Sequence, residues 1–68
     1  MTPREQAKAA VLNHAQNLDQ FPGPVGRQWL LEWSVRYLGS AVFAFGADRY
    51  AEAHAGLLEG LLEAGAIR

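Results

Sequence analysis

The stretch RQWLLEWSVRYLGSAVFAFG, residues 27–46, decides the fold that this sequence predicts. It contains both tryptophans, one tyrosine and two phenylalanines, and after its first residue the only charges are Glu32 and Arg36. At about 100° per residue, its apolar side chains fall in one arc of roughly 240°. An amphipathic surface helix needs an apolar arc of little more than about 100°. The stretch therefore predicts a central helix that is covered on at least two sides.

The charges in and around this stretch exclude a membrane-spanning helix. Glu32 and Arg36 lie inside it, and Arg27 and Arg49 flank it. No uncharged run therefore approaches the roughly 18 residues that a span requires. The stretch is therefore interpreted as a buried helix of a soluble domain.

Length and composition predict one small domain, residues 1–68, that needs a partner. The chain has 68 residues, half of them hydrophobic. A domain of this size lies near the lower limit for a self-sufficient core. Its apolar burial roughly offsets an ordering entropy of about 1.5 kcal/mol per residue. The high hydrophobic content therefore favours a homodimer or a complex with another protein.

Charge and cysteine content exclude several classes of protein. A net charge of −1 gives no general attraction to nucleic acid or to anionic lipid. The chain has no cysteine, so neither a disulfide framework nor a thiolate metal site is expected. The opening MTPREQAKAA lacks the apolar segment of a secretory signal, and a cytoplasmic location is expected by default.

A shorter helix precedes the central one in the prediction. It spans about residues 3–20, because Thr2, Pro3 and Glu5 form a capping box with proline at the first helical position. The break FPGPVG, residues 21–26, ends it, since residues before proline are pushed out of the helical region.

The central helix then spans about residues 25–45, beginning either at Pro24 or near Arg27. A last helix is predicted over about 48–64, with Asp48 as its N-cap. Its apolar side, which is expected to face the core, includes Tyr50, His54, Leu58 and Leu62. The expected fold is therefore a self-associating all-α three-helix bundle, in which the central hydrophobic helix lies between the other two.

No group of residues indicates catalysis, a cofactor or a small-molecule substrate. Ser34 and Ser40 lack the strand–turn–helix context of a nucleophile, and no glycine-rich loop could hold a phosphate. His14 and His54 each lie within an apolar stripe, where they could bind zinc, form a proton-sensitive contact or simply pack. A closed zinc site needs four ligands, and no carboxylate shares either stripe. We therefore predict no enzyme activity and no metal.

The narrow side of the central helix is a candidate interaction surface. Gly39 forms a notch there beside the aromatic ring of Phe43, and Glu32 and Arg36 are their charged neighbours. An aromatic ring among charged residues is typical of an interface anchor. These four residues are the first predicted interaction site.

Two further pairs complete the predicted interaction residues. Gly56 and Gly60 lie one turn apart on the side of the last helix that is predicted to be polar, where each exposed glycine costs about 1 kcal/mol relative to alanine. We interpret them as a place where another backbone approaches. Trp29 and Trp33 suit the core, although either could fall at a dimer seam between central helices.

The leading function prediction is a non-catalytic protein–protein interaction module, a small adaptor or a regulator or inhibitor that docks on a larger protein as a homodimer. The alternative is a small helical DNA-binding regulator. The last eight residues, LLEAGAIR, resemble the exit from a winged-helix recognition helix, which implies DNA binding. The outward side of that helix nevertheless carries Glu52, Glu59 and Glu63, and the basic residues form no stripe for phosphate contacts. Neither nucleic acid nor a membrane is therefore an expected partner.

Overall fold

α-Helices form nearly all of the regular structure in this computed structural model, which describes residues 1–67. Helix α1 spans Pro3–Gln16, α2 spans Pro24–Phe45 and α3 spans Tyr50–Ala64, and a 3₁₀ turn at Ala47–Arg49 precedes α3. No strand occurs in this part of the chain. The predicted all-α three-helix bundle is confirmed.

Helix α1 begins with the predicted capping box. The hydroxyl of Thr2 accepts a hydrogen bond from the backbone N–H of Glu5 at 3.1 Å, and the backbone N–H of Thr2 donates to Oε1 of Glu5 at 3.3 Å. Hydrogen bonds from Thr2 hold the pKa of the Glu5 carboxyl below its usual value. Two otherwise unpaired backbone donors of the first turn are thereby satisfied.

The end of α1 lies at Gln16, earlier than the predicted residue 20. The side-chain amide of Asn17 donates to the carbonyl oxygen of Asn13 at 2.9 Å, and its backbone N–H donates to that of His14 at 3.1 Å. Asparagine side chains compete in this way with helix continuation. The chain therefore leaves the helix before the proline-rich break.

The structure decides between the two predicted starts of α2 and corrects the predicted start of α3. Helix α2 begins at Pro24 with Gly23 as its N-cap, rather than near Arg27. The predicted N-cap role of Asp48 is wrong, because Asp48 lies inside the 3₁₀ turn and α3 starts after Arg49 with no side-chain cap. Gly46 leads into that turn with a φ of 87°, a conformation that glycine adopts without strain.

Helices α1 and α3 run parallel and in direct contact, which departs from the expectation that α2 lies between them. A Cβ on Gly56 would overlap the carbonyl oxygen of Arg4 and lie 2.8 Å from its carbonyl carbon. One turn later, a Cβ on Gly60 would lie 2.8 Å from the Cβ of Val11 and 3.2 Å from the carbonyl oxygen of Lys8. Both glycines are buried, so their predicted position on the exposed side of α3 is wrong.

The backbone approach that this glycine pair indicated does occur, but the approaching helix belongs to the same chain. Leu58 and Leu62, which the sequence placed towards the core, are exposed as a consequence. The core side of α3 consists of Ala53, Gly56, Leu57, Gly60 and Leu61.

Helix α2 packs on α1 and α3 through a narrower face than predicted. Its buried residues are Gly26, Leu30, Ser34 and Ala41. The hydroxyl of Ser34 donates to the carbonyl oxygen of Leu30 at 2.9 Å, as expected of a buried helical serine. Half-buried apolar side chains flank this face: Leu31, Trp33, Tyr37, Leu38 and Phe45. Within residues 1–67 neither α2 nor another helix combines the length and hydropathy that a bilayer crossing demands.

Two ion pairs on the surface join α1 to α3. The Arg4 guanidinium donates from Nε to Oε1 of Glu59 at 2.9 Å and also contacts that oxygen through Nη2. Nζ of Lys8 lies 3.3 Å from Oε2 of Glu63. The hydrogen bond from Arg4 holds the pKa of the Glu59 carboxyl below its usual value.

Glu59→Gln is expected to lower the Tm slightly at neutral pH and to leave it unchanged in strong acid. Because the folded-state pKa of Glu59 is lowered, its stabilising contribution is present above the carboxyl's unfolded pKa and is lost as pH falls through the folded pKa. The difference is small because solvent screens an exposed pair. Thermal melts of wild type and variant from neutral pH to strong acid check the result, with Glu52→Gln as the control. A Tm difference that persists in strong acid would contradict it.

Candidate protein-interaction surface

The side of α2 that points away from α1 and α3 carries six residues at spacings of 4, 3, 4, 3 and 4. We call this set the outer face: Val25, Trp29, Glu32, Arg36, Gly39 and Phe43. At about 100° per residue, these positions share an arc of about 80° on the side roughly opposite the buried Leu30 and Ala41. All six residues are exposed.

Three members of the outer face are large and apolar. The exposed fraction is 92% for Phe43, 66% for Val25 and 45% for Trp29. Single exposed apolar residues are common on protein surfaces, whereas several on one face mark an interaction site. The preference for a core position at Trp29 was therefore wrong, because nearly half of this side chain faces solvent.

His14 of α1 supports both tryptophans from the inner side. Its Nδ1 lies 3.0 Å from the carbonyl oxygen of Ala10, which fixes the ring. The ring stacks on Trp33 with centroids 4.0 Å apart and on Trp29 with centroids 6.0 Å apart. Trp33 is half-buried in this stack, whereas Trp29 extends from it to the outer face.

The two histidines lie at opposite ends of the bundle. His54 of α3 stacks on Tyr50, with centroids 6.4 Å apart. In the parallel pair of α1 and α3, Arg4 is level with Gly56, so His14 and His54 are separated by about 18 Å along the helix axes at 1.5 Å per residue. No group of three or more His, Asp or Glu side chains in residues 1–67 could hold a metal ion. The arrangement that could have made a shared zinc site is therefore not present.

The charges of the outer face have no ion-pair partner within the described part of the chain. Glu32 accepts only a long hydrogen bond of 3.5 Å from Nε2 of Gln28. Arg36 lies one turn further along α2 and is likewise exposed. Beside them, a Cβ on Gly39 would meet no atom within 4 Å, so the predicted notch is open. Two opposite charges and a notch are thus available to a partner.

Open grooves flank the N-terminal half of the outer face. One has a volume of about 490 Å³ and is lined by Pro24, Arg27, Gln28, Leu31, Glu32 and Val35. A second, about 240 Å³, is lined by Val25, Gln28, Trp29 and Glu32. A third, about 190 Å³, is lined by Leu18, Asp19, Gln20, Val25, Gly26 and Trp29. Each groove shares at least one residue with the outer face, so side chains of a bound protein could enter them.

Three predicted interaction residues do not belong to this surface, namely Trp33, Gly56 and Gly60. Trp33 is half-buried, and helix α1 covers both glycines. Helix α3 instead exposes a row of residues one turn apart, namely Tyr50, His54, Leu58 and Leu62. The sequence interpretation missed this row because it assigned these side chains to the core.

Val25 is the one residue of the outer face that the sequence interpretation did not name. Its signal was the spacing of four residues to Trp29, which continues the 4, 3 pattern of the other members. The adjacent prolines and glycines made this position look like part of a turn. The structure places it in the first turn of α2.

Comparison with known proteins adds no functional information. No protein-family model, no curated protein and no solved structure matches this chain.

Proposed function

We propose that the protein is a non-catalytic protein-interaction module, a small adaptor or regulator, and that the outer face of α2 is its binding surface. The observation that carries this proposal is the 92% exposure of Phe43 in a row that also exposes Val25 and Trp29. Transfer of apolar surface out of water contributes about 25 cal/mol per Å². Aromatic side chains dominate the energetics of protein interfaces for this reason.

The proposal assigns no reaction to the protein. A catalytic site places titratable groups with shifted pKa values together in a pocket that excludes water. The grooves beside α2 are open, and the shifted pKa values of Arg4, Glu5 and Glu59 are explained by the ion pair and the capping box. We place the protein in the cytoplasm, because small secreted domains usually rely on disulfides and this chain has no cysteine.

The DNA-binding alternative gains no support from a specific contact. Arg4 and Lys8 are paired with carboxylates of α3, so two of the six basic side chains are already engaged. Arg68 lies outside the described residues. Fluorescence polarisation on mixed DNA tests this alternative, and binding that weakens steeply with salt would favour it.

Phe43→Asp is expected to reduce binding of a partner protein by at least about tenfold, because an anchor residue contributes about 2 kcal/mol or more. The new carboxylate would also lose hydration in an apolar interface. The fold should be unaffected, since a side chain that is 92% exposed supports no core contact. The measurement is retention of proteins from the native-cell lysate on tagged wild type and variant, quantified by mass spectrometry.

Leu62→Asp is the matched control for this experiment. It places a carboxylate on an exposed leucine of α3, away from the outer face. This control should retain the same proteins as the wild type. Equal retention by wild type and Phe43→Asp, with circular dichroism unchanged, would contradict the proposal.

A further inference from the structure

We propose that the partner of the outer face is a second copy of this chain, bound with its α2 antiparallel to the first. The inference rests on the proposed function, because it names the occupant of the same surface. It is carried by the order of residues along the outer face. When residue 25 of one copy faces residue 43 of the other, all six positions pair with one another.

The apolar pairs in this register are complementary in size. Val25 faces the partner's Phe43, so two exposed apolar side chains cover each other. Trp29 faces the partner's Gly39, where a Cβ would meet no atom of another helix within 4 Å. The notch on one copy therefore receives the exposed part of the indole of the other. A twofold axis repeats both contacts.

The charged pair in the middle of the face is also complementary. Glu32 faces the partner's Arg36, and the twofold axis repeats this pair, so two interchain ion pairs form. Neither residue has an ion-pair partner within residues 1–67 of its own chain. Parallel helices would place Glu32 opposite the partner's Glu32 and Arg36 opposite the partner's Arg36. Charge therefore favours the antiparallel arrangement.

The spacing of the outer face fixes the register as well as the direction. Alternating steps of 4 and 3 residues are typical of the contact line between two paired helices. In an antiparallel pair, each residue that follows a step of 4 faces a residue of the partner that follows a step of 3, and each such facing pair is one layer of the interface. A slip of seven residues in one direction would place Phe43 against the partner's Glu32. A slip in the other direction would place Trp29 against that glutamate. Both slips leave fewer layers and break the ion pairs.

A second copy also fits the size of the domain. A 68-residue chain without disulfides has a small core, and this one still exposes Val25, Trp29 and Phe43. Twofold homodimers are the most frequent oligomers of soluble proteins. Because α1 and α3 lie on the opposite side of α2, they leave room for the second copy.

Charge reversal with mixing tests the pairing. Glu32→Arg alone and Arg36→Glu alone are each expected to weaken the dimer at least about tenfold, because each places like charges opposite at two symmetric sites. A one-to-one mixture of the two variants is expected to dimerise again, since every new charge then faces its opposite. Light scattering between about 1 µM and about 1 mM should give twice the 7.4 kDa chain mass for the wild type and the mixture. Glu52→Arg on α3 is the control and should dimerise like the wild type.

The natural absence of cysteine allows a direct check of the register. Under mild oxidation, a mixture of Glu32→Cys and Arg36→Cys is expected to form disulfides between unlike variants, because only positions 32 and 36 face each other. Crosslinking of like variants alone would overturn the antiparallel arrangement.

The outcomes separate this inference from the proposed function. A wild type that stays monomeric to about 1 mM overturns the second-copy inference. If the monomeric wild type retains a protein from the lysate and Phe43→Asp does not, the outer face binds a larger protein and the proposed function stands. A dimer that is unaffected by either charge reversal also overturns the inference, because its interface then lies elsewhere.

Discussion

Leu30→Ala is expected to unfold a large fraction of the molecules at room temperature. Leu30 lies at the middle of the buried face of α2 and exposes none of its surface. Truncation of such a side chain costs about 2–5 kcal/mol, because apolar contacts are lost and a cavity remains. A domain of this size has only about 3–5 kcal/mol of stability from its core. The substitution therefore removes a large share of the free energy of unfolding, and at the upper end of this range all of it.

Urea unfolding followed by far-UV circular dichroism measures this effect in dilute solution, where chains are separate. Leu62→Ala is the matched control, because it makes the same chemical change at a leucine that is 52% exposed. The control should shift the free energy of unfolding by less than about 0.5 kcal/mol. Similar midpoints for the two variants would show that Leu30 does not anchor α2 to the other helices.

Local signals in the sequence predicted the helices well. The capping box at Thr2 and Glu5 and the proline at the first position of α2 act through a few neighbouring residues, so they are present in the sequence itself. Ser34 interrupts the apolar arc of α2, and its hydrogen bond to the carbonyl oxygen of Leu30 explains why a serine is tolerated there. The premature end of α1 came from Asn17, whose preference for a cap competes with continuation of the helix.

The orientation of α3 could not be predicted from hydrophobicity. A leucine-rich side normally faces the core, which placed Leu58 and Leu62 inside. The structure instead turns Gly56 and Gly60 towards α1, because two small residues allow the backbones to approach closely. Hydropathy gives glycine no weight, so the face chosen by close packing was interpreted as the polar one.

Hydrophobicity along α2 predicted one part of the candidate site but not the rest. Gly39 and Phe43 were correctly placed on the exposed side of α2, because both lie opposite its largest apolar side chains. Trp29 was not, since the width of the face that α1 and α3 cover depends on how close those helices come to each other. Their close contact leaves them a narrow combined surface, and the edges of the apolar arc at Trp29 and Val35 remain in solvent.

Gly56→Ala is expected to destabilise the protein, although alanine is the better helix former by about 1 kcal/mol. The added Cβ would overlap the carbonyl oxygen of Arg4, which is backbone and cannot rotate away. Helix α1 would have to move, and with it the ion pair of Arg4 with Glu59. Overpacking of this kind costs about 1–3 kcal/mol and occasionally more. We expect a net loss of about 2 kcal/mol in the free energy of unfolding.

Gly39→Ala should give the opposite sign in the same urea experiment. Gly39 is also inside a helix, but a Cβ there would meet no atom within 4 Å, so only the helix preference counts. A gain of about 0.5–1 kcal/mol is expected in dilute solution. The two substitutions add the same methyl group to the same kind of residue, so the difference in sign isolates the contact between α1 and α3. If Gly56→Ala also stabilised the protein, the close parallel packing of α1 and α3 would be refuted, and Gly56 would have to lie on the exposed side of α3.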